Sequence, residues 1–118
     1  MGLDMYLSTG DDKEVGYWRK ANAIHAWFVK NVQYGVDECQ KVEVSVAKLK
    51  KLRTLVNKVL KNNKLASELL PTQSGFFFGS TEIDKWYMEE LESTKEILDR
   101  AIAMNKEKLV KFYYESSW

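Results

Sequence analysis

The chain has 118 residues, with 18 Lys and Arg against 17 Asp and Glu for a net charge of +1, and is 45% hydrophobic and 13% aromatic. This is the composition of one globular domain large enough to fold without a staple, and its near-neutral charge argues against bulk nucleic-acid binding. A single cysteine, Cys39, and a single histidine, His25, exclude an internal disulfide, a cysteine-based zinc site and a multi-histidine metal site, so no cofactor is expected.

No run approaches the length needed to cross a bilayer, and the N-terminus lacks the basic-then-apolar order of a signal peptide. A cytoplasmic protein with no membrane partner is therefore expected. The opening stretch, Gly2 to Ser8, alternates Leu3, Met5 and Leu7 with Asp4, Tyr6 and Ser8, which predicts a half-buried strand. An acidic loop follows to Gly16. Tyr17 to Gln33 then reads as a helix, because Tyr17, Ala21, Ile24, Phe28 and Val32 recur at helical spacing. Trp18, Asn22 and His25, with Arg19 adjoining, form a second stripe of the types a nucleotide would use. The aromatic stacks, the guanidinium grips phosphate, and the amide reads a polar edge. The plain structural alternatives are a solvated Arg19 and a partly buried, hydrogen-bonded His25.

A turn around Gly35 carries Asp37 and Glu38, and Lys41 to Val44 reads as a short strand. Ser45 should cap a helix from Val46 to about Lys61, with Val46, Leu49, Leu52, Val56, Val59 and Leu60 inward and lysines over the rest. Leu65 to Leu70 adds at most one helical turn before Pro71. Leu69 to Asp84 then holds the lone proline, two glycines, Phe76-Phe77-Phe78 and a run of small polar residues. Its Thr72-Gln73-Ser74-Gly75 segment is a candidate anion-holding loop, since a helix should start at Thr81 to Asp84, which have capping-box spacing. The alternative is a buried Phe76–Phe78 strand flanked by turns. Glu82 to about Met104 is the longest helix, with Ile83, Trp86, Tyr87, Leu91, Ile97, Leu98, Ala101 and Ile102 inward and Glu89, Glu92 and Glu96 outward. Leu109 to Ser116 is a strand candidate, and Trp118 ends the chain. The expected fold is a single α+β domain over residues 1–118, with about three helices packed on a small, mostly antiparallel sheet. An exposed edge at Lys108 to Ser116 would leave a homo-oligomer open.

Four stretches resemble a family of small uncharacterised proteins of phages and prophages. They are the opening Met-Gly-Leu-Asp-Met-Tyr-Leu, the stretch from Glu14 through Tyr-Trp-Arg-Lys-Ala-Asn-Ala-Ile-His to Phe28, the Leu-Leu-Pro-Thr-Gln-Ser-Gly-Phe-Phe-Phe-Gly-Ser-Thr loop, and the ending Tyr-Tyr-Glu-Ser-Ser-Trp. The resemblance implies a phage or prophage setting, hence the host cytoplasm, and little chemistry. Members of that family carry a longer segment where this chain has Thr9 to Gly16.

Three functions compete at this level. The first is a non-enzymatic binder of a small phosphorylated or nucleotide-like ligand, held by Trp18, Arg19, Asn22 and His25 against Thr72, Gln73, Ser74 and Gly75. Phe77, Tyr87 or Trp118 would stack on it, and in a phage this would serve to sequester a host signalling nucleotide. The second is a protein-binding inhibitor of a host factor, docking through aromatics and the acidic stripe. The third is a small enzyme with His25 as general base, oriented by Asp84 or Asp4. No hydrolase elbow or phosphate-binding Walker loop supports the third.

Overall fold

A computed structural model describes residues 2–75, 79–107 and 109–118. In chain order the elements are β1 (Asp4–Thr9), β2 (Glu14–Arg19), α1 (Asn22–Asn31), β3 (Val42–Val44), α2 (Val46–Lys61), a 3₁₀ turn (Asn63–Leu65), α3 (Ala66–Leu69), α4 (Lys85–Glu107) and β4 (Phe112–Ser117). The fold is α+β, with four α-helices rather than three because the turn before Pro71 closes as α3. The sheet is antiparallel throughout in the order β2-β1-β4-β3.

Alternation in β1 buries Leu3, Met5 and Leu7 completely, and Phe112, Tyr114 and Ser116 of β4 face the same side. Helices α2 and α4 pack on one another by their 3.6-period stripes: Leu49, Leu52, Val56 and Val59 from α2, and Leu91, Leu98 and Ala101 from α4. The Ser45 hydroxyl accepts the Lys48 N–H at 3.2 Å, as its N-cap position requires. Where α4 crosses β2 there is no room for a side chain. A Cβ on Gly16 would lie 2.3 Å from Ile97 Cγ2.

Four expectations are corrected. Tyr17 to Gln33 is not one helix, because Glu14–Arg19 pairs with β1 as a hairpin strand, with Tyr6 opposite Tyr17 and Met5 opposite Trp18. Lys20 then takes a left-handed φ of +57°, and the helix begins only at Asn22. The β-favouring run Val15, Tyr17, Trp18 and the cross-strand pairing outweigh the helical spacing that links Tyr17 to Ala21. The last helix starts at Lys85, not Glu82. Asp84 rather than Thr81 caps it, its Oδ1 accepting the Tyr87 N–H at 3.1 Å. Ile83 and Trp86 face outward, 40% and 67% exposed. Finally, the edge expected over Lys108 to Ser116 is closed in part: β4 pairs with β1 along its length and with β3 at Phe112–Tyr114, which leaves Glu115–Ser117 without a strand partner on that side among the described residues. The possible strand at Phe76–Phe78 lies outside the described residues, and no helix among those described is long and apolar enough to cross a membrane.

Candidate functional site

The β2–α1 junction, the 70–84 loop and the first turns of α4 meet around two adjoining cavities. One of about 220 Å³ is lined by Lys20, Asn22, Thr72, Gly79, Ser80, Glu82, Asp84, Trp86, Tyr87 and Glu90. The other, about 280 Å³, is lined by Tyr17, Trp18, Arg19, Ala21, Trp86, Glu89, Glu90 and Ser93. Trp86 and Glu90 belong to both, and they stand four residues apart on α4, one above the other on a single face.

Asn22 builds the first cavity. Buried to 3% exposure at the start of α1, it accepts the Gln73 N–H on Oδ1 at 3.0 Å and donates from Nδ2 to the Ser80 carbonyl at 2.8 Å. One side chain thus ties both limbs of the loop to the helix. The Thr72 hydroxyl closes the base by donating to the Thr81 carbonyl at 2.8 Å. Gly79, at φ +82°, gives the passing Lys20 stem its room, since a Cβ there would sit 3.2 Å from Lys20 Cβ.

The remaining anticipated residues divide. Trp18 is core rather than stacking surface. It is 4% exposed, donates from Nε1 to Thr94 Oγ1 at 2.8 Å and meets Phe28 edge-on, while lining the second cavity. Arg19 sits on the rim, with Nη1 2.9 Å from Asp4 Oδ1. The Tyr17 hydroxyl, at 2.5 Å, and then Arg19 hold the Asp4 carboxyl below its ordinary value. Tyr87 is buried, and its hydroxyl donates to the Leu70 carbonyl at 2.6 Å. Burial and then the Glu90 charge push that hydroxyl up to about 12, so it keeps its proton and acts as a strut, not a stacking platform. Ser74 and Gly75 are exposed and line neither cavity. Phe77 lies outside the described residues.

His25 and Trp118 belong to another place. His25 is fully buried. Its Nδ1 meets the Tyr114 hydroxyl at 2.6 Å and its Nε2 meets Asp37 Oδ2 at 3.0 Å, and Asp37 Oδ1 accepts the Trp118 indole N–H at 3.1 Å. Burial, then the charges of Asp37 and Cys39, raise the Tyr114 hydroxyl well above its ordinary range. The hydroxyl therefore keeps its proton, and both imidazole nitrogens are engaged, one by Tyr114 and the other by Asp37. The orienting acid is Asp37, not Asp84 or Asp4. His25 is thus fully buried with both ring nitrogens engaged, away from the two cavities.

The cleft also has lining residues outside the expected ligand-binding set, Lys20, Trp86 and Glu90 among them. The signal was available on α4. Tyr87, Leu91, Thr94, Leu98 and Ala101 repeat at four and three and are all buried, which leaves Trp86 and Glu90 together on the adjoining face. The Glu90 carboxyl is raised to about 7, first by burial and then by the Asp84 charge. No cluster of three metal-ligating side chains occurs among the described residues. Comparison of the chain with protein-family models, curated proteins and solved structures returns no match.

Proposed function

We propose that the protein is a non-enzymatic binder of a small nucleotide-like ligand, seated in the cleft between the β2–α1 junction and the start of α4. The phage or prophage setting comes from the sequence resemblance alone, and in it the protein would act in the host cytoplasm as an accessory factor that sequesters a host signalling nucleotide. The observation that carries the binding reading is Trp86. This ring is 67% exposed where two cavities join, above a loop that Asn22 ties down on both limbs. An exposed aromatic over a preformed cleft supports stacking of a flat ring. Arg19 and Lys20 stand on the rim at the side where a phosphate would lie. Glu82, Asp84, Glu89 and Glu90 line the same space, so a ligand with little negative charge fits better than a polyphosphate.

The test is a thermal-shift series with nucleosides, nucleoside monophosphates, cyclic dinucleotides, ADP-ribose and inorganic phosphate, run on the wild type and on Trp86→Ala. A ligand at about a hundred times its dissociation constant adds roughly 2.7 kcal/mol to folding stability. The expected result is a clear rise in melting temperature with one nucleoside-type ligand, absent in Trp86→Ala. No shift with any of them removes the reading.

The exposure of Ile83 beside Trp86 favours a second reading, a protein-binding inhibitor of a host factor that docks on this end of α4. Replacing Glu92 and Glu96 together, which are exposed on α4 and line neither cavity, should abolish partner binding under that reading and leave nucleotide binding intact under the first.

A further inference from the structure

Building on that reading of the cleft, we infer that its ligand is recognised through two neighbouring N–H donors on a flat π system, as in a guanine ring or a guanidinium group, offered to the Glu90 carboxylate beside the Trp86 ring. Several polar groups lining the cleft already have partners. Asn22 uses its oxygen on Gln73 and its amide on Ser80. Thr72 donates to Thr81, Tyr87 donates to Leu70, and Trp18 donates to Thr94. The Ser80 hydroxyl oxygen accepts the Glu82 N–H at 3.1 Å, and one Asp84 oxygen holds the helix cap. Arg19 is engaged by Asp4.

What remains includes the Ser80 and Ser93 hydroxyls, the Trp86 indole N–H and a group of carboxylate acceptors. The Glu90 carboxylate has no hydrogen-bond or ion-pair partner among the described residues, although it is half-buried and forms part of both cavity walls. A buried acceptor without a donor is costly, and a ligand that supplies the donor recovers that cost on binding. The second Asp84 oxygen and the Glu82 carboxylate add acceptors to the same cavity. Lys20 is the remaining cationic donor there, and suits the ring carbonyl of a guanine or a phosphate.

Guanine places a ring N–H and an exocyclic amine side by side, and a guanidinium does the same; both match the two oxygens of a carboxylate. Adenine sets a bare ring nitrogen beside its amine and would turn a lone pair toward Glu90. Hypoxanthine keeps the ring N–H but lacks the amine.

The experiment measures dissociation constants by calorimetry at pH 8 for guanosine, inosine, adenosine and agmatine, on the full chain and on Glu90→Gln and Glu90→Asp. Circular dichroism first establishes that both variants fold. Guanosine is expected to bind tighter than inosine and adenosine by roughly tenfold or more, as a site built to pair a donor edge discriminates. That margin should collapse in Glu90→Gln, where one acceptor oxygen becomes an amide NH2 donor, and should partly survive in Glu90→Asp. Equal affinities for the three nucleosides overturn the donor-edge inference while leaving the nucleotide-like reading standing. Agmatine binding without any nucleoside supports the donor edge and overturns the nucleotide-like reading. No binding by any of the four overturns both.

Discussion

Two positions one turn apart on one short helix handle buried polarity in opposite ways. At the start of α1, Asn22 spans an open cleft and ties down a loop, with a half-buried carboxylate across the space that has no donor among the described residues. One turn on, His25 is sealed between Tyr114 and Asp37, and Asp37 in turn holds Trp118. Both residues are equally polar and almost equally buried, at 3% and 0% exposure. The difference lies in what is left over. The His25 network closes on itself, so it joins α1, the 32–41 turn, β4 and the chain's end. The Asn22 position leaves acceptor capacity facing a cavity. A polar group deep in a fold marks a site when its neighbourhood remains incomplete, and marks architecture when it does not.

The comparison breaks first at His25. Substituting His25→Ala removes a fully buried ring, opens a void beside the stacked Phe28–Tyr114 pair and strips the Tyr114 hydroxyl of its ring partner. The expected loss is about 3 kcal/mol, the sum of a cavity and a buried unsatisfied hydroxyl. Urea unfolding measures it. At a temperature where the variant stays folded, ligand affinity at the cleft should be unchanged. A His25→Ala protein of normal stability that lost binding would overturn the division between the two positions.

Asn22→Ala gives the complementary result with a smaller stability effect. It leaves the Gln73 N–H and the Ser80 carbonyl without their partner, for a loss of roughly 2 kcal/mol if neither finds water. Because the same side chain fixes both limbs of the loop over the cavity, ligand affinity should fall as well. The informative measurement is the pair together, melting temperature without ligand and the shift with it. A stability loss with a full ligand-induced shift would show that Asn22 is architecture like His25.

How much of this contrast could be read from the chain depended on range. Where period and burial agree over several turns, as in α2 with its Ser45 cap or the alternation of β1, the residues declare their element unaided. The structure does bring Asn22 against Gln73 and Ser80 and places Thr72 beside them, a proximity that the stripe and the loop suggest from their polar residues. The strand at Glu14–Arg19 was hidden because six residues of alternation run straight into a helical stripe, and the cross-strand partners that decide the matter lie on β1. His25 was misread for a similar reason. Its partners are Asp37, twelve residues on, and Tyr114, 89 residues on, and nothing local announces either. Trp86 was assigned to the core because tryptophan usually is, although Tyr87 beside it already filled the inward position.

The smallest effect sharpens the comparison most, because its sign depends on pH. The Glu90 carboxyl is raised from 4.5 to about 7, first by burial and then by Asp84. A carboxyl whose folded value lies above its unfolded one binds its proton more tightly in the folded state, so ionisation opposes folding. That cost is absent below pH 4.5, grows between pH 4.5 and 7, and is complete above pH 7. Glu90→Gln removes it. The variant should match the wild type near pH 4 and exceed it at pH 8 by on the order of 1 kcal/mol, a figure already reduced for the solvent that still reaches this half-exposed group. Denaturant midpoints at the two pH values decide it. A gain of the same size at both would place its origin in packing rather than charge and remove Glu90 as the incomplete group of the cleft. A gain confined to high pH that disappears when a donor-bearing ligand saturates the wild type would show the ligand supplying what the fold leaves out.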